Sequence, residues 1–129
     1  QDISEKLPPV IRSQKIQDRA NFYGFKWETS LEIYNKIIEE IEELKIEEEF
    51  KNDKNVEEEF GDLLFTIIGL SRYLNVDPET ALMKANKKFL LRFSEIEKKL
   101  KKRNLDINDL NREELNREWE EIKLEIKNS

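Results

Sequence analysis

Glu40 and Glu43 stand three residues apart, and so do Glu59 and Asp62. On an α-helix that spacing projects each pair from one face. Two such helices packed antiparallel would offer four carboxylates to a common seam, as in the carboxylate sites built inside helix bundles. Donors made only of oxygen suit hard cations, Mg²⁺ or Mn²⁺. The chain contains no Cys and no His. Disulfides, a thiolate nucleophile, an imidazole base and the usual zinc sites are therefore excluded, and carboxylates, Lys, Arg and aromatic rings must supply any chemistry. Spacing alone is weak with 29 acidic residues present. Asp62 is the sharper clue, because the surrounding stretch from Phe60 to Val76 is apolar on nearly all sides and reads as a mostly buried helix. A lone carboxylate there needs a partner. The pattern leaves two outcomes, a bound cation or buried salt bridges to Lys or Arg.

The elements that must position these groups are helical. Leu, Ile, Val and Phe number 39 of 129 residues, enough for a folded core. Gly and Pro number only three each, which argues against folds that turn many corners. The expected fold is all-α, a bundle of four to five helices in one domain over residues 10–129, preceded by a tail or linker over residues 1–9 that ends in Pro8-Pro9. The first helix is expected from Val10 to Tyr23, stopped by Gly24. Thr29 with Glu32 forms a capping-box pattern for a second helix reaching Phe50, and Asn55 with Glu58 repeats it for a third ending near Leu74. Asp77-Pro78 starts a fourth helix running to Arg103, and a last one is expected from Asn111 to Lys127.

Charge is segregated. Residues 39–59 hold 11 acidic and 3 basic side chains, net −8, whereas residues 84–103 hold 9 basic and 2 acidic, net +7. Most of these are solvated helix faces. An acidic helix pair beside a basic helix would nonetheless suit a metal-chelated polyphosphate. The formal net charge of −6 argues against nucleic acid as a partner. No apolar run approaches a membrane span and no signal-peptide pattern opens the chain, so the expected compartment is cytoplasmic, with Gln1 reading as the start of a fragment or processed chain.

Several motifs then fall into one order. Glu39-Glu40-Ile41-Glu42-Glu43 followed by Glu58-Glu59-Phe60-Gly61-Asp62 resembles the EExxE…ExxD signature of the MazG-type nucleoside triphosphate pyrophosphohydrolases. Gly24-Phe25-Lys26-Trp27 is similar to the family's GFDW with Lys for Asp, and Lys36-Ile37-Ile38-Glu39-Glu40 matches its KVxEE. Residues Ala85 to Phe93 resemble ANxKFxRRF with Leu91 for the first Arg, and Trp119 with Lys123 matches WxxxK. The likeness extends over most of the chain and is nearest to the C-terminal catalytic domain of the two-domain proteins.

The resemblance implies an all-α pyrophosphatase fold, a homodimer, and Mg²⁺-dependent hydrolysis of nucleoside triphosphates to monophosphate and pyrophosphate. By position it implies Glu40, Glu43, Glu59 and Asp62 as metal ligands. Lys36, Lys88 and Arg92 would approach the phosphates, and Trp119 and Lys123 would complete the substrate site. Glu39, beside the ligand pair, is the candidate to orient or deprotonate the attacking water. Lys88 and Arg92 also fit an ordinary basic face, and Trp27 and Trp119 fit core packing as well as base stacking. Two rivals stay open: a related enzyme with a narrower substrate such as dUTP, dCTP or a phosphoribosyl-nucleotide, and a non-catalytic helical dimerisation module. The apolar third helix predicts a homodimer interface that includes Phe65 and Ile68.

Overall fold

The computed structural model describes residues 3–128, with the side chain of Asn128 excepted. Gln1 and Asp2 of the expected tail, and Ser129, lie outside the described residues. The described chain is all-α, with α1 Pro9–Phe22, α2 Ser30–Glu49, α3 Asp53–Tyr73, α4 Pro78–Lys102 and α5 Arg112–Asn128, and a single 3₁₀ turn at Ile107–Asp109.

Local chemistry sets these ends. Pro9 opens α1, where a missing N–H costs nothing, and Gly24 takes φ +88° just beyond its C-terminus. Thr29 Oγ1 accepts the Glu32 amide at 3.3 Å, capping α2 as its sequence predicts. The third helix starts three residues earlier than expected. Asn52, not Asn55, is its cap and accepts the Asn55 amide at 3.2 Å. The Asn55 side chain instead donates to Glu47 at 3.1 Å, tying α3 back to α2. Asp77 caps α4, accepting the Glu79 amide and the Thr80 hydroxyl. Asn111 and Glu114 cap α5 reciprocally.

The chain divides into two compact units, one ending at Ala81 and the other starting at Leu82, so the boundary falls inside α4. In the first unit α2 and α3 form an antiparallel hairpin, and α1 packs on α3. Gln17 donates to the Phe65 carbonyl at 2.9 Å, and Asp18 accepts two hydrogen bonds from Arg72 at 2.9 Å each. Gly69 is buried beneath Gln17, whose Oε1 would lie 2.6 Å from any added Cβ. In the second unit α4 and α5 bury Ile96, Leu100 and Ile122, with Ile107, Leu110, Trp119 and Ile126 packed around them.

The expectation that α3 is buried on nearly all sides does not hold within this chain. Thr66, Ile68 and Gly69 are buried, but Phe60, Leu64, Phe65 and Ile67 are exposed. On α2, Leu31, Tyr34, Ile38 and Ile41 are exposed as well. Each set recurs at helical spacing. Both lie roughly a third of a turn beyond the seam between the two helices, in the same rotational sense. In an antiparallel pair that places them on one side of the hairpin, with Ile68, Gly69 and Arg72 turned the other way toward α1. Ile68 is therefore covered by its own chain and is removed from the expected interface.

Candidate metal centre

The hairpin brings three of the four predicted ligands together. One carboxylate oxygen from each of Glu40, Glu43 and Glu59 lies within 4.8 Å of the others. Glu40 is only 5% exposed, because α2 turns it onto the same face as buried Ile33 and half-buried Ile37 and Leu44. Its Oε1 lies 3.2 Å from the Lys36 ammonium, one helical turn earlier. Its Oε2 is buried and accepts no hydrogen bond, and the same is true of Glu59 Oε2.

The electrostatics follow from the crowding. Glu59 is pushed up to about 7, first because burial penalises its charge, then because Glu43 and Glu40 share hydrogen bonds with it and repel its anion. Lys36 is held above its ordinary pKa by the hydrogen bond to Glu40, with Glu39 adding to the effect. Glu39 itself is exposed and accepts from Lys36 at 3.4 Å. The donor set is entirely carboxylate, with two orphaned buried oxygens and one proton retained well above its usual range, and so it fits a hard divalent cation.

Asp62 differs from its expectation. It is exposed, and its oxygens are not among those of the cluster. It remains three residues from Glu59 on the seam-facing side of the helix.

The remaining candidates belong to the second unit. Lys88 is exposed, and Arg92 is half-buried with its guanidinium 5.8 Å from the centroid of the Trp119 ring. Phe89 lies 5.0 Å from the same ring and 6.1 Å from Phe93, but is itself half exposed. Trp119 is half-buried against the core of its unit, so it both packs and presents an aromatic surface. Lys123 pairs with Glu120 at 3.7 Å.

Two features escaped the sequence reading. Glu118 is buried and accepts from Arg103 at 2.7 Å. Its signal was present: Leu115, Glu118, Trp119, Ile122 and Ile126 form one stripe of α5. The second is a cavity of about 550 Å³ between α1, the following loop and α3, lined by Gln17, Ala20, Phe25, Trp27 and Phe65 among others. None of the clustered carboxylates lines it.

Comparison with known proteins adds an independent finding. Residues 5–89 match the family model described as phosphoribosyl-ATP pyrophosphohydrolase. A Thermotoga maritima protein named nucleoside triphosphate pyrophosphohydrolase/pyrophosphatase MazG is 44% identical over 122 residues, covering 95% of this chain and 47% of that protein. An Escherichia coli K12 protein named nucleoside triphosphate pyrophosphohydrolase is 39% identical over 124 residues, with the same 95% and 47% coverage. The chain thus spans about half the length of these curated relatives. No helix among the described residues is long and apolar enough to cross a membrane. The match over residues 5–89 covers α1 to α3 and the first half of α4, the elements that assemble the carboxylate cluster, and it establishes that the chain belongs to the phosphoribosyl-ATP pyrophosphohydrolase family, with MazG-type proteins among its relatives.

Proposed function

We propose that this chain hydrolyses nucleoside triphosphates to the monophosphate and pyrophosphate, using a divalent cation, Mg²⁺ or alternatively Mn²⁺. The observation that carries the reading is buried Glu40, with an unmatched oxygen, gathered with Glu43 and Glu59 on the α2–α3 hairpin. Such a cluster is unstable without positive charge, and a triphosphate brings a cation with it. The likeness to relatives named for this reaction extends over 95% of the chain, which supports the same reading.

Glu40, Glu43, Glu59 and exposed Asp62 would hold the cation, which when bound would polarise a phosphate oxygen and a water. Glu39, exposed beside the ligand pair, would orient that water or accept its proton. Lys88 and Arg92, an i, i+4 pair on α4, would offset charge on the phosphates. Trp119 would stack on the base or ribose, held by Phe89 and Arg92, and Lys123 would add a cation at the same face. A site that grips chiefly metal and triphosphate predicts broad base specificity.

A second reading follows from the family model, whose description names phosphoribosyl-ATP. Its match ends at residue 89, whereas the likeness to the triphosphate-hydrolysing relatives reaches across 95% of the chain. One experiment separates the two. The chain is given ribo- and deoxyribonucleoside triphosphates and phosphoribosyl-ATP with Mg²⁺ in H₂¹⁸O. The expected result is turnover of several triphosphates, with label in the monophosphate and none in pyrophosphate. Turnover of phosphoribosyl-ATP alone would establish the narrower enzyme. Orthophosphate as the first product would end the pyrophosphohydrolase reading, and no turnover at all would leave the dimerisation module.

The same reading includes a homodimer in the cytoplasm. Leu31, Tyr34, Ile38 and Ile41 with Phe60, Leu64 and Ile67 make an apolar face on one side of the hairpin that a second copy would cover. Light scattering at micromolar concentration is expected to give twice the 15.6 kDa chain mass, and Leu64→Asp should reduce it to one chain.

A further inference from the structure

We propose that Lys36 is a positioning residue for the carboxylate cluster, gripping one oxygen of Glu40 so that the other stays available to a divalent cation. The inference rests on the metal-dependent reading above and adds the residue that sets the cation's affinity. A carboxylate as buried as Glu40 requires a partner. Lys36 supplies it from one turn earlier on α2, at 3.2 Å from Oε1, while also meeting exposed Glu39 at 3.4 Å. Among the described residues no Lys or Arg pairs with Glu43 or Glu59, so Lys36 is the cation that the cluster meets within the chain. The pairing uses Oε1 and leaves Oε2 buried and unmatched.

This is the arrangement in which an outer partner orients a ligating carboxylate, and loss of such partners lowers metal affinity by about ten- to a hundredfold. It also redirects the role expected for Lys36. To reach a phosphate, the ammonium would have to release Glu40 and leave a buried carboxylate without its cation. Lys36 therefore acts through Glu40 rather than by direct contact with a phosphate.

The test is a Mn²⁺ titration of the EDTA-treated chain, read by the electron paramagnetic resonance of free Mn²⁺, with circular dichroism reporting helix content. Lys36→Met is expected to weaken Mn²⁺ binding by about tenfold or more, and Lys36→Arg, which reaches the same oxygen, to stay within about threefold of the unchanged chain. Excess Mn²⁺ should restore turnover in Lys36→Met, which a lost phosphate contact would not allow. If Lys36→Met loses helical signal, Lys36→Gln replaces it under the same threshold. Unchanged or tighter binding in the neutral variant overturns the proposal, as does Lys36→Arg binding as weakly as Lys36→Met. Absence of Mn²⁺ binding in the unchanged chain removes the metal-dependent reading itself, and this inference with it. That failure is distinct from one in which the unchanged chain binds and the variants bind equally well.

Discussion

The two units each bury a glutamate, Glu40 in the first and Glu118 in the second. Both have one oxygen matched by a cation, Lys36 at 3.2 Å and Arg103 at 2.7 Å, and one oxygen without a hydrogen bond. Burial and pairing therefore do not distinguish them. Their neighbours do. Glu40 faces two further carboxylates, and the group among them that gives way is Glu59, which keeps its proton up to about 7. Glu118 faces an Arg whose own charge it reinforces, raising the Arg103 pKa. One buried glutamate belongs to a cluster with negative charge still to be neutralised, the other to a completed ion pair. A site for an external cation is recognised by that surplus rather than by a buried acid as such.

The largest expected effect breaks this comparison most directly. Glu40→Gln should lower triphosphate turnover by about a hundredfold or more while leaving helix content intact, because it removes charge the cation requires. Glu118→Gln should leave turnover close to that of the unchanged chain. Equal losses in the two variants, measured as kcat/KM with Mg²⁺ and ATP, would mean that surplus charge is not what marks the site.

A smaller effect sharpens the other half. Arg103→Met leaves the buried Glu118 carboxylate without its partner, so thermal unfolding should begin at lower temperature than in Glu118→Gln, where the charge itself is gone. Calorimetry of the two variants decides the order. The reverse order would make the pair a surface contact of little consequence despite the burial of Glu118.

What was legible in the sequence divides along the same line. Caps that act within four residues read correctly: Thr29 for α2 and Asp77 for α4 do as their neighbours predict. The start of α3 did not, because Asn52 and Asn55 are the same residue type three apart, and only the tertiary bond from Asn55 to Glu47 assigns one to the cap and the other to the hairpin. The i, i+3 spacing of Glu40 with Glu43 foretold their shared face and, with the hairpin, their meeting with Glu59. The burial of Asp62 was inferred from apolar neighbours. Apolar content says what a face can be buried against, not that a partner is present in the same chain. Phe60, Leu64 and Ile67 remain exposed on one side of α3, and Asp62 is exposed on another. The resemblance assigned Lys36 to the phosphates, and its 3.2 Å contact with Glu40 is a side-chain detail that spacing alone does not give. Glu118 was hidden by a run of charges, although its place on the Leu115–Ile122 stripe predicts burial.

The smallest effect is the dependence of stability on pH. Glu59 has an ordinary pKa of 4.5 and is raised in the folded chain to about 7. Between those values the folded state holds a proton that the unfolded state has released, so the folded state binds more protons and its stability falls as pH rises. The loss begins near the unfolded value and is complete once the folded group ionises, above about 7. The metal-free chain should therefore melt at progressively lower temperature from about pH 5 to about pH 7.5, relative to Glu59→Gln, which has no such proton to lose. Mg²⁺ acts in the opposite sense. It competes with the proton for the same oxygens, so the rise in melting temperature that it produces should be greatest above about pH 7 and fade toward about pH 5. The Arg103–Glu118 pair gives no matching window, since the guanidinium stays charged throughout. Parallel curves for the EDTA-treated chain and Glu59→Gln would place the surplus charge elsewhere. A Mg²⁺ effect independent of pH would mean that the cation does not displace the Glu59 proton.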